Sequence, residues 1–211
     1  GDATYVLSKI LKDVKKITKP KGIKKDFFNK IRFDRYQNSA NQTEPLASYV
    51  KALRSGITED GILVTDMTTI AYYTRAQYQT YKPRSYFTSS YSGNLGSAFP
   101  TSLGIKVARP QKVVVSISGD GGFLYNAQEL ATASQFGINV VAVVFNDQAF
   151  SNVKRDMKEI FNNKTLGVEL KNPNFLKLAE AYGVKGIKAK SPNELEKSLK
   201  SNLPTTRSDR P

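Results

Sequence analysis

The sequence predicts a three-layer α/β/α fold in which helices cover both faces of a mainly parallel β-sheet. Apolar, strand-like runs alternate with segments of helical spacing along most of the chain, and this alternation is typical of α/β proteins. Residues 112–147 form a strand–helix–strand unit, which favours a parallel, right-handed crossover between the two strands. With 211 residues, the chain is long enough for one large domain or a medium domain with an appendage.

The composition excludes several classes of chemistry. The chain contains no Cys and no His, which excludes a disulfide framework, thiolate or imidazole metal sites, a Cys nucleophile and a Ser–His–Asp triad within it. Hydrophobic residues make up 39% and charged residues 24% of the chain, so wholesale disorder is excluded as well. Catalysis would therefore have to use carboxylates, hydroxyls, Lys, backbone groups or a bound cofactor.

The formal net charge of +14 is distributed unevenly. Residues 1–36 carry eleven Lys and Arg against four acidic residues, a net +7, whereas residues 113–153 contain no Lys or Arg. A nucleic-acid site interleaves basic residues with its folded groove, so we interpret most of this charge as a solvated basic surface. A basic nucleic-acid or anion-binding module is the alternative.

The sequence favours a cytoplasmic protein without a membrane partner. The longest apolar run, Val140–Phe145, is far shorter than the roughly 18–20 residues that span a bilayer. Residues 1–10 lack the basic segment followed by an apolar one that marks a signal peptide. The lack of Cys agrees with a reducing compartment.

The amino-terminal segment is predicted to be helical and basic. Residues 4–17 have apolar residues at helical spacing beside several lysines, which predicts an amphipathic helix. We expect Pro20 and Gly22 to end it. Residues 20–44 are basic and polar, and we predict a linker there with a short helix around residues 26–32.

The main domain is predicted to begin near Glu44 with a helix over residues 45–54. Residues 61–66 are a short apolar run, a pattern that predicts a buried strand. Residues 71–86 show no clear period. Residues 93–108 are small and apolar, a composition that lets a helix pack closely on a sheet.

Three further strands and one turn are predicted in the second half of the chain. Residues 112–118 and 139–146 are β-branched runs, and residues 184–189 show a weaker pattern of the same kind. Gly119–Gly122 is predicted to be a tight turn that directly follows the first of these strands.

Three helix starts are marked by capping residues. Asn126 and Glu129 fit a capping box, and Gly137 is a natural stop for the helix that follows. Asn172, before a proline, is predicted to cap the next helix. Ser191 begins a third helix with a proline in its first turn and a capping box.

Two carboxylates are predicted to meet at one edge of the sheet. Asp120 directly follows one predicted strand and Asp147 the next, and ligands bind at the carboxyl edge of parallel strands. Carboxylate oxygens suit Mg²⁺, and the N–H groups of Gly121 and Gly122 suit a phosphate. Each feature alone fits a strand end or an ordinary turn, but the joint pattern predicts a site for Mg²⁺ and a diphosphate.

The spacing within this pattern resembles a known family. GDG is followed by 24 residues and then by Asn146-Asp147. The segment GDGGFLYNAQELATASQFGINVVAVVFND resembles the thiamine-diphosphate motif of 2-oxoacid decarboxylases and acetolactate synthases, in which a paired Asn-Asn follows GDG at a similar distance. TSSYSGNLGSAFPTSLGIKVARP resembles the family's glycine-rich segment, and GILVTDMTTI the strand and turn that touch the diphosphate. The amino-terminal GDATYVLSKILKDV resembles the end of the family's central domain.

The resemblance implies ligands by position. It implies that Mg²⁺ is bound by the side chains of Asp120 and Asp147 and by the backbone carbonyl of Ala149. It implies that Leu95 supports the bent cofactor and that Gly93 offers its carbonyl to the aminopyrimidine. The other residues that it implies for cofactor binding are Thr68, Thr69, Gly119, Gly121, Gly122 and Asn152.

Two positions depart from the family's pattern. The second Asn of the metal motif is Asp147 here, which keeps an oxygen ligand and adds a negative charge. Acetolactate synthases carry a Trp shortly after this motif, whereas this chain has no Trp and Asp156 stands at that position. A decarboxylase or another carboligase fits the resemblance equally well, and a catalytically silent homologue is a further alternative.

The resemblance implies a thiamine-diphosphate-binding fold and half of an active site. It divides the chain into residues 1–43, the end of a central domain with a basic linker, and residues 44–211, the domain that binds the diphosphate and Mg²⁺. The activating carboxylate comes from an amino-terminal, pyrimidine-binding domain of the same or a partner chain, so no catalytic residue is expected here. The implied substrate is a 2-oxoacid, and the implied assembly is a homodimer or homotetramer.

Overall fold

The structure is a computed structural model that describes residues 2–17, 22, 24–41, 43–89 and 92–203. The chain divides into two compact units, Gly1–Ser39 and Ala40–Pro211.

The first unit is helical. Helix α1 covers Ala3–Ile17, which confirms the helix predicted over residues 4–17, and its side chains up to Lys16 are exposed. Pro20, which is predicted to end this helix, lies outside the described residues. Helix α2, Lys25–Asn41, is longer than the predicted short helix. Its second half has no periodic apolar residues, so periodicity gives no signal for it.

A four-stranded parallel sheet forms the centre of the second unit, with the strands in the order β2-β1-β3-β4. Every neighbouring pair is parallel, so the predicted parallel crossover between β3 and β4 is confirmed. All the carboxyl ends of the strands therefore lie at one edge. The strand bounds are β1 Ile62–Thr65, β2 Tyr86–Thr88, β3 Val114–Gly119 and β4 Val141–Phe145.

Helices cover both faces of this sheet. Their bounds are α3 Leu46–Gly56, α4 Thr69–Gln77, α5 Ala98–Ala108, α6 Asp120–Leu124, α7 Glu129–Gln135, α8 Ser151–Ile160, α9 Phe175–Ala181 and α10 Pro192–Asn202.

The core consists of two layers of apolar side chains, because successive strand residues point to opposite faces. Leu63 of β1 packs with α3, α4 and α10, whereas its neighbours Ile62 and Val64 pack with Ala98 of α5. On the α5 side the core continues into α6, α7 and α9. The predicted three-layer α/β/α architecture is therefore confirmed.

Two segments differ from their predictions. Residues 71–86, which show no period, contain most of α4 and the first residue of β2. The period is hidden because α4 buries the polar residues Thr74 and Gln77 together with its apolar ones. The predicted strand 184–189 is wrong, because Val184 N–H donates to the α9 carbonyl of Ala179 instead of joining the ladder.

Several predicted caps also differ. Gly119–Gly122 is not a tight turn, because Asp120 begins helix α6. Asn126 does not cap α7, which begins at Glu129 without a side-chain cap. Asn172 does not cap α9 either, since Asn174 accepts from the first-turn N–H groups. Both misassigned asparagines instead bond to distant residues at the carboxyl edge of the sheet.

Two helix boundaries match their predictions. Gly137 follows α7 with a φ of +59°, the left-handed conformation of a helix stop. Ser191 caps α10 by accepting from Glu194 N–H at 3.2 Å, with a proline at the first position.

Candidate functional site at the carboxyl edge of the sheet

A cleft of about 270 Å³ opens where β1, β3 and β4 end. It is bounded by the starts of three helices, α4, α6 and α8, which follow these strands. Helix starts carry N–H groups without partners in the helix itself, so this edge is rich in donors. The residues predicted for cofactor or metal binding that line the cleft are Thr68, Thr69, Leu95, Gly119, Asp120, Gly121, Gly122, Asp147, Ala149 and Asn152.

Gly93 is the one predicted cofactor residue that does not line this cleft. Its φ is +63°, a conformation that favours glycine, and a Cβ there would lie 3.4 Å from Met67 Cε. Because Met67 lines the cleft, Gly93 is the neighbour of a lining residue without belonging to the lining itself.

Asp120 is held by three donors and is only 1% exposed. Its Oδ1 accepts from Gly121 N–H at 2.9 Å, and its Oδ2 accepts from Gln148 N–H at 2.7 Å and from Asn172 Nδ2 at 2.6 Å. Donors to an ionised oxygen form short, strong hydrogen bonds. These three hydrogen bonds fix the orientation of the Asp120 carboxylate. Gly121 N–H, predicted to bind the diphosphate, donates to Asp120 here.

Asn172 connects Asp120 to the end of β4, and the sequence gives no signal for this role. Besides its bond to Asp120, its Nδ2 donates to Asn146 Oδ1 at 2.8 Å. The neighbouring backbone runs antiparallel to the Asp147 loop, since Leu170 N–H donates to Gln148 O and Phe150 N–H donates to Val168 O, both at 2.8 Å. The loop that carries two of the predicted metal ligands is thus fixed from outside the sheet.

The glycines after Asp120 are required by close packing against protein atoms. A Cβ on Gly121 would collide with the ring of Phe150 and lie 2.9 Å from Leu170 Cδ1. A Cβ on Gly122 would lie 2.6 Å from Asp66 Oδ2. Any larger residue would therefore push α6 away from the loops on either side of it.

Asp66 lies beneath the cleft, directly after β1, and is fully buried. Its Oδ2 accepts from Gly96 N–H at 2.7 Å, whereas its Oδ1 has no hydrogen-bond partner among the described residues. Burial raises the pKa of this carboxyl, although the hydrogen bond from Gly96 and the nearby donors of Met67 and Ser97, which do not reach full hydrogen-bond geometry, oppose the shift. The sequence places Asp66 only in the turn before Thr68 and does not predict that its side chain is buried.

Few metal ligands are available at this edge, and they are oxygen atoms, which prefer hard cations. Asp120 and Asp147 both line the cleft together with Ala149. No group of three or more Asp and Glu side chains that could hold a metal occurs in the part of the chain that the structure describes. A cation here would bind two carboxylates and complete its shell with backbone, phosphate or water oxygens, which is the habit of Mg²⁺. The residues present therefore fit a Mg²⁺–diphosphate.

A parallel α/β sheet binds ligands at its carboxyl edge, and the glycines and carboxylates there suit the class of proteins that bind a phosphorylated cofactor with a metal ion. The family described as "Thiamine pyrophosphate enzyme, C-terminal TPP binding domain" matches residues 66–211. The chain belongs to this family, and its second unit contains a thiamine-diphosphate-binding domain.

Relatives and a solved structure agree with this assignment. The chain is 31% identical over 206 residues to the acetolactate synthase large subunit of Buchnera aphidicola from Acyrthosiphon pisum, covering 94% of this chain and 36% of the relative. It is 41% identical over 127 residues to a probable acetolactate synthase large subunit of Methanocaldococcus jannaschii, covering 60% and 22%. A thiamine diphosphate-dependent 4-hydroxybenzoylformate decarboxylase of Rhodococcus jostii RHA1 superimposes with a TM-score of 0.67 at 27% identity, covering 72% of this chain and 29% of that one.

These comparisons support a cofactor-binding domain and do not favour the alternative of a basic nucleic-acid module. The chain spans about a third or less of the length of these three proteins. Among the described residues, no helix is both long and apolar enough to cross a bilayer.

Proposed function

We propose that this chain provides the diphosphate-binding half of a thiamine-diphosphate-dependent enzyme that decarboxylates or ligates 2-oxoacids, as acetolactate-synthase-like lyases and transferases do. The observation that carries the proposal is the cleft where Asp120, Asp147 and the close-packed glycines of α6 lie together. When bound, thiamine diphosphate supplies the nucleophilic carbon and the electron sink for chemistry at the 2-oxoacid carbonyl. The chain itself binds and orients that cofactor.

The proposed metal site consists of the carboxylates of Asp120 and Asp147 and the backbone carbonyl of Ala149. The donors on Asp120 support this role because they fix its orientation before the metal arrives. Asp147 is exposed to solvent and open to a hydrated cation. These groups would hold Mg²⁺, whose charge would offset that of the diphosphate.

The proposed cofactor contacts surround this metal site. Gly119, Gly121 and Gly122 lie at the start of α6, where they would face the diphosphate. Leu95, which is 37% exposed, supports the bent cofactor. The remaining contacts are the Gly93 carbonyl and the side chains of Thr68, Thr69 and Asn152.

The site is proposed to be completed by other parts of the enzyme. We assign residues 1–43 to the end of a central domain with its linker and residues 44–211 to the diphosphate domain. A pyrimidine-binding domain of the same or a partner chain would supply the activating carboxylate, in a cytoplasmic homodimer or homotetramer. Asp156 stands at the position of the Trp of acetolactate synthases. We therefore propose a 2-oxoacid as the substrate without assigning a particular one.

Calorimetric titration of the full-length protein with thiamine diphosphate tests this proposal. We expect binding with Mg²⁺ and none with excess chelator, and Asp147→Ala is expected to weaken binding. Asp60→Ala, at the far end of β1 and outside the cleft, is the matched control and is expected to bind normally. Equal affinity with and without chelator would refute the metal site. Residues 1–211 alone are expected to consume no pyruvate.

A further inference from the structure

The turn that carries Leu95 is held from below by a buried carboxylate. Gly96 N–H donates to Asp66 Oδ2 at 2.7 Å, and Asp66 has no exposed surface. This bond fixes the peptide group that joins Leu95 to Gly96. It links the end of β1 to a turn 30 residues further along the chain.

The same turn is held from the other side by Asn126. Asn126 Nδ2 donates to Gly96 O at 2.7 Å, which fixes the peptide group that follows Gly96. Gly96 has a φ of +82°, and a Cβ there would lie 2.8 Å from Tyr125 Cβ and 3.1 Å from Gly122 O. The backbone of Gly96 therefore packs directly against α6 and the residues after it, with one side-chain hydrogen bond on each of its two peptide groups.

We propose that Asp66 is a positioning residue for the cofactor, which acts with Asn126 through the Gly96 backbone to hold Leu95 in the cleft beside the glycines of α6. This inference rests on the proposed function, because it takes Leu95 as the support of the bent cofactor. Neither Asp66 nor Asn126 lines the cleft, so both act through Gly96.

The cost of burying Asp66 supports a positioning role over a purely structural one. A carboxylate with no exposed surface is unfavourable for folding, because burial disfavours its charged form. An apolar residue at the end of β1 would avoid that cost, but it could not accept from Gly96 N–H. The carboxylate also lies so close to Gly122 that it joins the Leu95 turn and α6 at a single point.

Hydrogen exchange and cofactor binding by the full-length protein test this inference together. In Asp66→Ala we expect amide exchange across residues 94–97 to accelerate at least ~10-fold in the apo protein, while exchange in β1 and β3 stays at the wild-type rate. We expect the Kd for thiamine diphosphate with Mg²⁺ to rise ~10-fold or more, the scale of lost outer-shell support. Asp66→Asn keeps an acceptor oxygen, so its exchange rates and its Kd should lie between those of the wild type and those of Asp66→Ala. Asp60→Asn, at the other end of β1, is the control and should change neither the exchange rates of residues 94–97 nor the Kd.

The outcomes separate this inference from the proposed function. Wild-type protein that does not bind thiamine diphosphate overturns the proposed function and this inference with it. Wild-type binding that Asp66→Ala leaves unchanged overturns the positioning role alone, as does faster exchange spread evenly over the sheet. If Asp66→Ala does not fold, Asn126→Ala, which releases the other side of Gly96, must show the same local exchange and weaker binding, and its failure to do so overturns the inference.

Discussion

The two ends of strand β1 carry the same residue type in opposite environments. Asp60, before the strand, has a side chain that is 37% exposed, and it pairs with Lys112 Nζ at 2.6 Å. The hydrogen bond from Lys112 lowers the pKa of Asp60. Asp66, after the strand, is buried without a cation in the described structure, and burial raises its pKa.

We interpret the difference as a division between an amino edge that serves stability and a carboxyl edge that carries the proposed binding site. At the amino edge, charge is satisfied locally by an exposed partner. At the carboxyl edge, a costly buried carboxylate lies below the cleft, and a second one, Asp120, is fixed by three donors. Positions where the energetics of folding are unfavourable are concentrated at functional sites. Here they coincide with the edge where parallel sheets bind ligands.

The largest effect that would break this contrast is expected from Asp120→Asn. Removing the charge should abolish the stabilisation by Mg²⁺ and thiamine diphosphate, which is worth about 2.7 kcal/mol at a ligand concentration of 100 Kd. The apo protein should be destabilised as well, because Asn172 and Gln148 lose an ionised acceptor. Thermal melting of the full-length protein with and without the ligands measures both effects.

Asp60→Asn is the matched control for this experiment. It removes a carboxylate at the amino edge, so the ligand-induced rise in Tm should equal that of the wild type. If the ligands raise the Tm of Asp120→Asn as much as that of the wild type, Asp120 is not a metal ligand. This residue would then give no support to a functional difference between the two edges.

A second, smaller effect is expected from Gly122→Ala, which sharpens the contrast from the side of α6. Its new Cβ would lie 2.6 Å from Asp66 Oδ2, so α6 or the Asp66 turn must move. Overpacking of this kind costs about 1–3 kcal/mol, measured by urea unfolding of the apo protein. Gly104→Ala is the control, because nothing lies within 4 Å of its Cβ position in α5, and removing a helical glycine gains about 0.5–1 kcal/mol. Equal stabilisation by both changes would contradict the close packing.

Local signals in the sequence predict the centre of the fold. The β-branched runs of β3 and β4, the helix stop at Gly137 and the cap at Ser191 all act within a few residues. The residues that follow β3 and β4 were therefore predictable as a shared edge. Helix α4 was not, because its buried face includes polar residues that need tertiary partners.

The support around the site could not be predicted, because it depends on distant side-chain bonds. Asn172 reaches Asn146 and Asp120 across 26 and 52 positions of the chain. Asn126 and Asn172 both look like helix caps, since Asn favours such positions in any sequence. Only the folded structure shows that their amides donate to Gly96 O and to Asp120 Oδ2 instead.

The pH dependence of stability should distinguish Asp66 from its neutral analogue. Because the folded pKa of Asp66 is raised above 3.8, the folded state binds the proton more tightly than the unfolded state. The stability from this group is fully present below pH 3.8 and is lost as pH rises through the raised folded pKa. As pH falls, the free energy of unfolding of the wild type, measured with urea, should therefore increase relative to that of Asp66→Asn. A difference independent of pH would mean that burial does not perturb this carboxyl.

The smallest effect is expected at Asp60, with the opposite sign. Because its folded pKa is lowered below 3.8, its contribution is present above pH 3.8 and is lost as pH falls through the folded value. The pair is about two-fifths exposed on both sides, so solvent screening limits its worth to about 1 kcal/mol or less. In Asp60→Asn the stability difference from the wild type should therefore shrink as pH falls, and it should also shrink in high salt. The same curves measured for Asp66→Asn should run in the other direction with pH, since burial rather than a surface cation sets that pKa. Parallel curves for the two variants would show that the ends of β1 do not differ, and the contrast between the two edges would be wrong.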